Sequence, residues 1–233
     1  MRVAIFSDIH ANLAALEAAL KEAERRNADT FICLGDVVGY GPDPGPCVDL
    51  VRERFAACVL GNHDEAVAFD RGMHVLPRDG QAAAQMHRTM LSEEQIAWLR
   101  GLPLIYQTET ATYTHAAPLD PGAWPRLDSF AAVQAQFAAF ETPVCFVGHS
   151  HRPAVASASL GVLRVRPGHR FLVNVGSVGQ PRDKDPRLAF ALFDEEAFAC
   201  EVVRCHYNVA QTAARVEAVG LPSSLGERLR RGV

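Results

Sequence analysis

Five short apolar runs in this chain each end on side chains rich in oxygen and nitrogen. VAIFS leads to Asp8 and His10, FICLG to Asp36, CVLG to Asn62 and His63, ATYT to His115, and CFVG to His149 and His151. Apolar runs this short and unbroken read as strands buried on both faces, which only a covered sheet provides. In an open α/β sheet, ligands gather beyond the carboxyl ends of the strands, so these five ends are predicted to aim their donors at one place. Taken singly the fragments say little: Gly-Asp and Asn are common in turns, and a lone histidine is ordinarily a satisfied polar residue. Their shared position at strand ends is what turns them into a candidate site.

Between the first runs lie the helix patterns NLAALEAALKEAERR and PCVDLVRER, and such alternation predicts a parallel sheet with crossover helices. From about residue 65 to 101 the strand signal stops. There RDGQAAAQMHRTM and SEEQIAWLRG read as two helices of a small insertion, the second opening on a capping box of Ser92 and Gln95. Strands resume with LPLIYQ, ATYTH and PVCFVG, and a helix is predicted around DSFAAVQAQFAAF. After residue 151, the runs AVASAS, GVLRVR, FLVNVG, LAFALFD and CEVVRC predict a second, largely antiparallel sheet. A helical tail follows over about 208–233, and the whole of 1–233 fits one α/β domain.

Composition removes several classes of function. A net charge of −4 gives no electrostatic footprint for a nucleic-acid-binding protein, because duplex binders usually carry a basic face, and leaves nucleic acid open as a substrate. No run approaches the length of a membrane span, and MRVAIFSD is too short for the apolar region of a signal peptide. The cysteines Cys33, Cys47, Cys58, Cys145, Cys200 and Cys205 include no C-x-x-C pair. They read as small hydrophobes in a reducing cytoplasm rather than as disulfides or a zinc site.

Leaving His63 aside, the strand ends supply two aspartates, one asparagine and four histidines. That set exceeds the four ligands of a closed zinc site and suits two metals sharing one carboxylate. Imidazole and oxygen donors without thiolate suit Mn, Fe, Co, Ni or Zn better than Ca. The spacing alone does not assign ligands to ions.

The ordered set SDIH, GDVVGYGPD, GNHD, THAAP and GHSH resembles the calcineurin-like metallophosphoesterase superfamily, with its D-x-H, G-D, G-N-H-[DE], H and G-H-x-H motifs. VNVGSVGQPRD is similar to a segment of the small prokaryotic phosphodiesterase branch. The resemblance implies an α/β fold, a four-layer α/β/β/α sandwich of two mixed β-sheets with a small helical insertion. It implies two divalent transition-metal ions, Mn first, with Fe, Ni, Co or Zn as alternatives. It further implies hydrolysis of a phosphodiester or nucleotide polyphosphate by a hydroxide bridging the metals, with a small phosphate ester or nucleotide as substrate. By this resemblance the first metal takes Asp8, His10, Asp36 and His151, and the second takes Asp36 as bridge with Asn62, His115 and His149. His63 is then the general acid, bound to neither ion.

Departures from the wider family shape the substrate expectation. Protein phosphatases and symmetrical dinucleoside tetraphosphatases keep an Arg-Gly pair after the bridging aspartate, where this chain has Gly39 and Tyr40. The missing guanidinium argues against both of those classes, serine/threonine protein phosphatases included, and against a phosphomonoesterase. Tyr40 either stacks on a nucleobase or fills its loop, and Arg182 either meets a substrate phosphate or pairs with Asp183 or Asp185. Asp64 either orients His63 or serves a turn. His74, His87, His169 and His206 match no motif and read as surface or structural residues. The rival of another class is a non-catalytic protein-binding scaffold, which is expected to lose ligands, whereas all seven and His63 are present here.

Overall fold

The computed structural model describes every residue except 160 and 163. The described residues form two five-stranded sheets. The first contains β1 (Arg2–Phe6), β2 (Thr30–Cys33), β3 (Ala57–Cys58), β9 (Leu188–Asp194) and β10 (Ala199–Cys205), in the order β10-β9-β1-β2-β3. The second contains β4 (Ile105–Gln107), β5 (Ala111–Thr114), β6 (Val144–Val147), β7 (Ala154–Ser157) and β8 (Phe171–Asn174), in the order β4-β5-β6-β8-β7. Both are mixed: β1, β2 and β3 run parallel, as do β5, β6 and β8, while β9, β10, β4 and β7 pair antiparallel.

The two-residue period of a strand divides each apolar run between two cores. Val3 and Ile5 face the second sheet, where they join Tyr113, Phe146 and Val173. Ala4 and Phe6 face the opposite way, into a core with Leu16 and Leu20 of α1 (Leu13–Arg25) and Val48 and Val51 of α2 (Pro44–Arg54). On the far side of the second sheet, Cys145, Val147 and Leu172 pack with Val133 of α6 (Phe130–Gln136) and with Phe137. The result is helix, sheet, sheet, helix, and it explains why the central strands β1, β6 and β8 are buried on both faces.

Two expectations need correction. The strands after residue 151 do not form their own sheet: β9 and β10 join the first and β7 and β8 the second. The reason lies in β9, where Leu188, Phe190 and Leu192 serve one core and Ala191 and Phe193 the other. A strand apolar on both faces must lie inside a covered sheet, and β9 lies beside β1. The run GVLRVR forms no strand over its described residues, 161–162 and 164–166, and residue 163 lies outside them.

The helices α3 (Asn62–Phe69), α4 (Arg78–Met90) and α5 (Glu93–Arg100) follow β3. At α5 the capping box forms as its spacing predicts: Gln95 N–H donates to Ser92 Oγ (3.2 Å) and Ser92 N–H to Gln95 Oε1 (3.0 Å). At the end of the chain α7 (Val209–Ala218) and α8 (Ser223–Arg231) place Val216 and Leu225 against Tyr40 and Ala83 of α4. Among the described residues no helix is long and apolar enough to cross a membrane.

Candidate active site

The five strand ends converge. Three of them, after β1, β2 and β6, bend sharply, and the bend is recorded in the backbone: Asp8, His10, Asp36, His149 and His151 all have φ between 49° and 64°. This left-handed region costs a residue with a Cβ about 1 kcal/mol or more, and such strain collects at functional sites. Two motif glycines make the convergence possible. A Cβ on Gly61 would lie 2.2 Å from Asp36 Oδ1, and one on Gly148 would lie 1.9 Å from Ser7 Oγ and 2.7 Å from Asp8 Oδ2.

Five of the seven ligand-type side chains spend one atom on the backbone and aim another inward. The Nδ1–H groups of His10, His115 and His151 face the carbonyls of Val38 (3.0 Å), Leu34 (2.8 Å) and Gln180. A carbonyl only accepts, so Nδ1 carries the proton and the Nε2 of the neutral ring presents a lone pair. The carboxylates are used in the same way. Asp36 Oδ1 accepts from His63 N–H (2.8 Å), while Asp36 Oδ2 lies 3.6 Å from His10 Nε2 and 3.4 Å from His115 Nε2. Asp8 Oδ2 accepts from His149 N–H (3.1 Å), while Asp8 Oδ1 lies 3.3 Å from His151 Nε2 and 3.8 Å from His10 Nε2.

The geometry therefore brings all seven predicted donors together around Asp36. On one side stand Asp8, His10 and His151, with the Nε2 atoms of His10 and His151 3.2 Å apart. On the other, His115 Nε2 lies 3.2 Å from both Asn62 Oδ1 and His149 Nδ1. Lone pairs facing lone pairs at such distances repel unless a cation lies among them. Asp8 Oδ1, buried and without a hydrogen-bond donor, is the sharpest case. The donor chemistry fits divalent metal ions: nitrogen and oxygen ligands, neutral imidazoles oriented by carbonyls, and two carboxylates in one buried site.

The charges point the same way. Burial pushes Asp8 up to about 7, with the His115 charge opposing and Asp36 adding. Burial drives His10 and His151 well below the imidazole range, and with the His115 charge it takes His149 down to about 3. His115 is the exception: burial opposes its protonation, but the charge and hydrogen bond of Asp36 outweigh it and raise the ring to about 10. Metal uptake at His115 therefore competes with a proton for Nε2.

His63 lies at the rim of this cluster, with a ring nitrogen within 4.8 Å of ligand atoms of His10 and Asp36. Its Nδ1 is buried without a partner. Asp64 does not orient it: its carboxylate accepts from Val38 N–H and Gly61 N–H, both at 3.1 Å, fixing the start of α3 to the loop after β2. Tyr40 is only 3 % exposed and its ring lies 4.4 Å from His63 and 4.7 Å from His10, so it fills its loop and offers no open face to a base. Arg182 pairs with neither predicted aspartate, because Asp183 holds Arg204 and Asp185 holds Arg187. Its guanidinium lies 5.5 Å from the centre of the Tyr40 ring and donates to Gln180 Oε1 at 3.0 Å.

The cluster opens into a cleft of about 400 Å³ that Asp36, Asn62, His63, His149 and His151 line with Trp124 and Arg182. Trp124 escaped the sequence reading, and His87, read there as surface or structural, is a structural residue whose place beside the site was not foreseen. Trp124 Nε1–H donates to Glu65 Oε2 (2.8 Å), and its ring stands 5.8 Å from His115. His87 Nδ1 accepts from Gly39 N–H (3.0 Å) and its Nε2–H donates to Gly41 O (2.9 Å), so a helix histidine holds the loop that carries Tyr40. No motif marks either residue. For His87 the available signal was its place on the apolar face of a predicted helix.

Two mixed sheets with a buried cluster of carboxylates and imidazoles at their strand ends define a metal-dependent phosphoric ester hydrolase once the relatives are considered. Residues 1–197 match the calcineurin-like phosphoesterase superfamily domain, and the chain belongs to that superfamily. It is similar to a metallophosphoesterase from Sphaerobacter thermophilus, with 36 % identity, coverage of 100 % of this chain and 99 % of that one, and a TM-score of 0.89. An uncharacterized protein of Methanocaldococcus jannaschii, MJ0912, is 35 % identical over 99 % of this chain and 98 % of its own length. A hypothetical protein from Pyrococcus horikoshii, 20 % identical, shares the fold with a TM-score of 0.84 over 100 % of this chain and 98 % of that one.

Proposed function

We propose that the chain hydrolyses phosphodiesters or nucleotide polyphosphates with two divalent transition-metal ions, Mn first. One ion is held by Asp8, His10, Asp36 and His151, the other by Asp36, Asn62, His115 and His149. The support is Asp36 Oδ2, which faces an imidazole of each group. When bound, such ions activate a water near neutral pH and polarise the phosphoryl oxygens. The chain's own residues do the rest. Arg182, free of any carboxylate among the described residues, meets a non-bridging oxygen of the phosphate. His63 donates a proton to the departing oxygen: the P–O bond to the attacking water oxygen forms, the P–O bond to the leaving group breaks, the His63 proton leaves with that group, and the proton the water gives up passes to solvent, from which His63 is reprotonated. Burial pushes the His63 ring down to about 4 while Asp36 works in the opposite direction.

The observation that carries the diester reading is room. Beyond His149 the main cleft meets a second cavity of about 280 Å³, with His149, Arg126 and Arg182 lining both. A monoester has no second substituent to fill it. The absent arginine at Gly39 and Tyr40 no longer separates monoesters from diesters, because Arg182 supplies a guanidinium from another loop. The free thiols, four of them buried, support a reducing cytoplasm, and the packing of α7 and α8 on Tyr40 supports a single domain. The test is the specificity constant for bis(p-nitrophenyl) phosphate against that for p-nitrophenyl phosphate in one metal and buffer. The diester is expected to be favoured, and a clear preference for the monoester overturns the diesterase reading.

A further inference from the structure

The second cavity is basic in a chain that is acidic overall. Arg126, Arg152 and Arg182 line it with a single carboxylate, Asp128. None of the three guanidinia lies within 4 Å of a carboxylate among the described residues, whereas the neighbouring Arg187 and Arg204 hold Asp185 and Asp183. The cavity floor is also fixed. Asn174 Nδ2–H donates to Gly148 O (2.6 Å) and lies 3.0 Å from Ser150 Oγ, and Arg152 Nε–H donates to Arg182 O (2.9 Å). That last bond leaves both terminal nitrogens of Arg152 without a protein partner among the described residues. Three guanidinia lining one cavity with a single carboxylate give it a positive field that favours an anion, and guanidinium donors match phosphate oxygens in geometry as well as charge.

We infer that this cavity is a subsite for a second phosphate carried by the substrate, so that the enzyme prefers diesters bearing a further phosphate on one substituent. Arg152 and Arg126 bind that group while Arg182, shared with the main cleft, stands between it and the scissile phosphate. The inference rests on the diesterase reading above and extends it from room to charge. The second phosphate could be reached through a sugar or through an anhydride, and the test separates the two.

The experiment compares three chromogenic esters on the Mn-loaded protein. They are the p-nitrophenyl ester of thymidine 5′-phosphate, the same ester with an added 3′-phosphate, and the γ-p-nitrophenyl ester of thymidine 5′-triphosphate. At least one doubly charged ester is expected to show a KM about tenfold lower than the simple one, equivalent to about 1.4 kcal/mol. Which of the two shows it identifies the route to the second phosphate. In the Arg126→Ala, Arg152→Ala double variant that ratio is expected to fall to about one, and because it is a ratio on one protein a general loss of activity cancels. Equal KM values for all three esters in the unaltered protein, or an advantage that survives in the double variant, overturns the subsite. Should the simple ester not be turned over at all, the diesterase reading fails, and calorimetry decides the subsite separately. Thymidine 3′,5′-bisphosphate binding about tenfold tighter than the 5′-phosphate, with the difference lost in the double variant, supports it. Equal affinities overturn it.

Discussion

The two sides of the cleft are built on opposite plans. On the metal side the donors stand at strand ends and most are fully buried. His10, His115 and His151 each give Nδ1 to a backbone carbonyl, and Asp8 and Asp36 each give one oxygen to a backbone N–H. On the arginine side, Arg126 and Arg152 are exposed residues of loops, and the described carboxylates leave them free. The first side accepts backbone strain to hold its atoms in one arrangement, which a metal site needs. The second can change by substitution without disturbing a core, which suits the choice of substrate.

The largest effect that should break this contrast is Asp36→Asn. Both halves of the metal side lean on Asp36 Oδ2, so elemental analysis is expected to find both metals lost and turnover at background. Loss of one metal with the other retained would show that the halves are independent. Next in size is His63→Ala, expected to keep both metals but lose about 10²–10⁴-fold in rate on alkyl esters. The loss on nitrophenyl esters, whose leaving group needs no proton, should be far smaller. If the metals are lost as well, His63 is a ligand instead.

Stability should expose the strain on the rigid side. Chelation leaves buried carboxylates and lone pairs facing one another. With metal at about a hundred times its Kd, its removal is expected to lower Tm by roughly 5–10 °C. Gly61→Ala, which drives a methyl group into Asp36, should lower Tm and metal content together, while Arg152→Ala should leave the metal-dependent shift intact.

The effect most confined in pH concerns His87. Burial takes its ring from 6.5 to about 4. The folded state therefore resists a proton that the unfolded chain accepts, and stability is present above about 6.5 and lost as pH falls toward 4. Linkage bounds that loss at about 3 kcal/mol. Denaturant titrations of the metal-loaded protein between those pH values should show a shallower slope for His87→Gln, whose amide can make the same two bonds without titrating. Equal slopes would remove His87 from the account.

The contrast also explains what the sequence made legible. Strand ends announce themselves, because a two-faced apolar run followed by Asp, Asn or His is rare and its position has one physical meaning. The convergence of Asp8, His10, Asp36, Asn62, His63, His115, His149 and His151 was readable for that reason. The sheet partners of β9 were not, since a run apolar on both faces says that it is covered but not by which neighbour. Arg126 and Arg152 were not readable either: loop arginines carry no period, and only the placement of Arg152 directly after GHSH hinted at a role. Tyr40 was ambiguous until the rings of His10 and His63 were seen to cover it.

The central claim is that two metals share one carboxylate and that neither alone suffices. It is tested most directly by adding Mn²⁺ to metal-free protein while recording bound metal by elemental analysis and hydrolysis of bis(p-nitrophenyl) phosphate on the same samples. The account predicts no turnover in the metal-free protein and activity that rises to saturation at two ions per chain. Full turnover without metal, or saturation at a single ion, would contradict it.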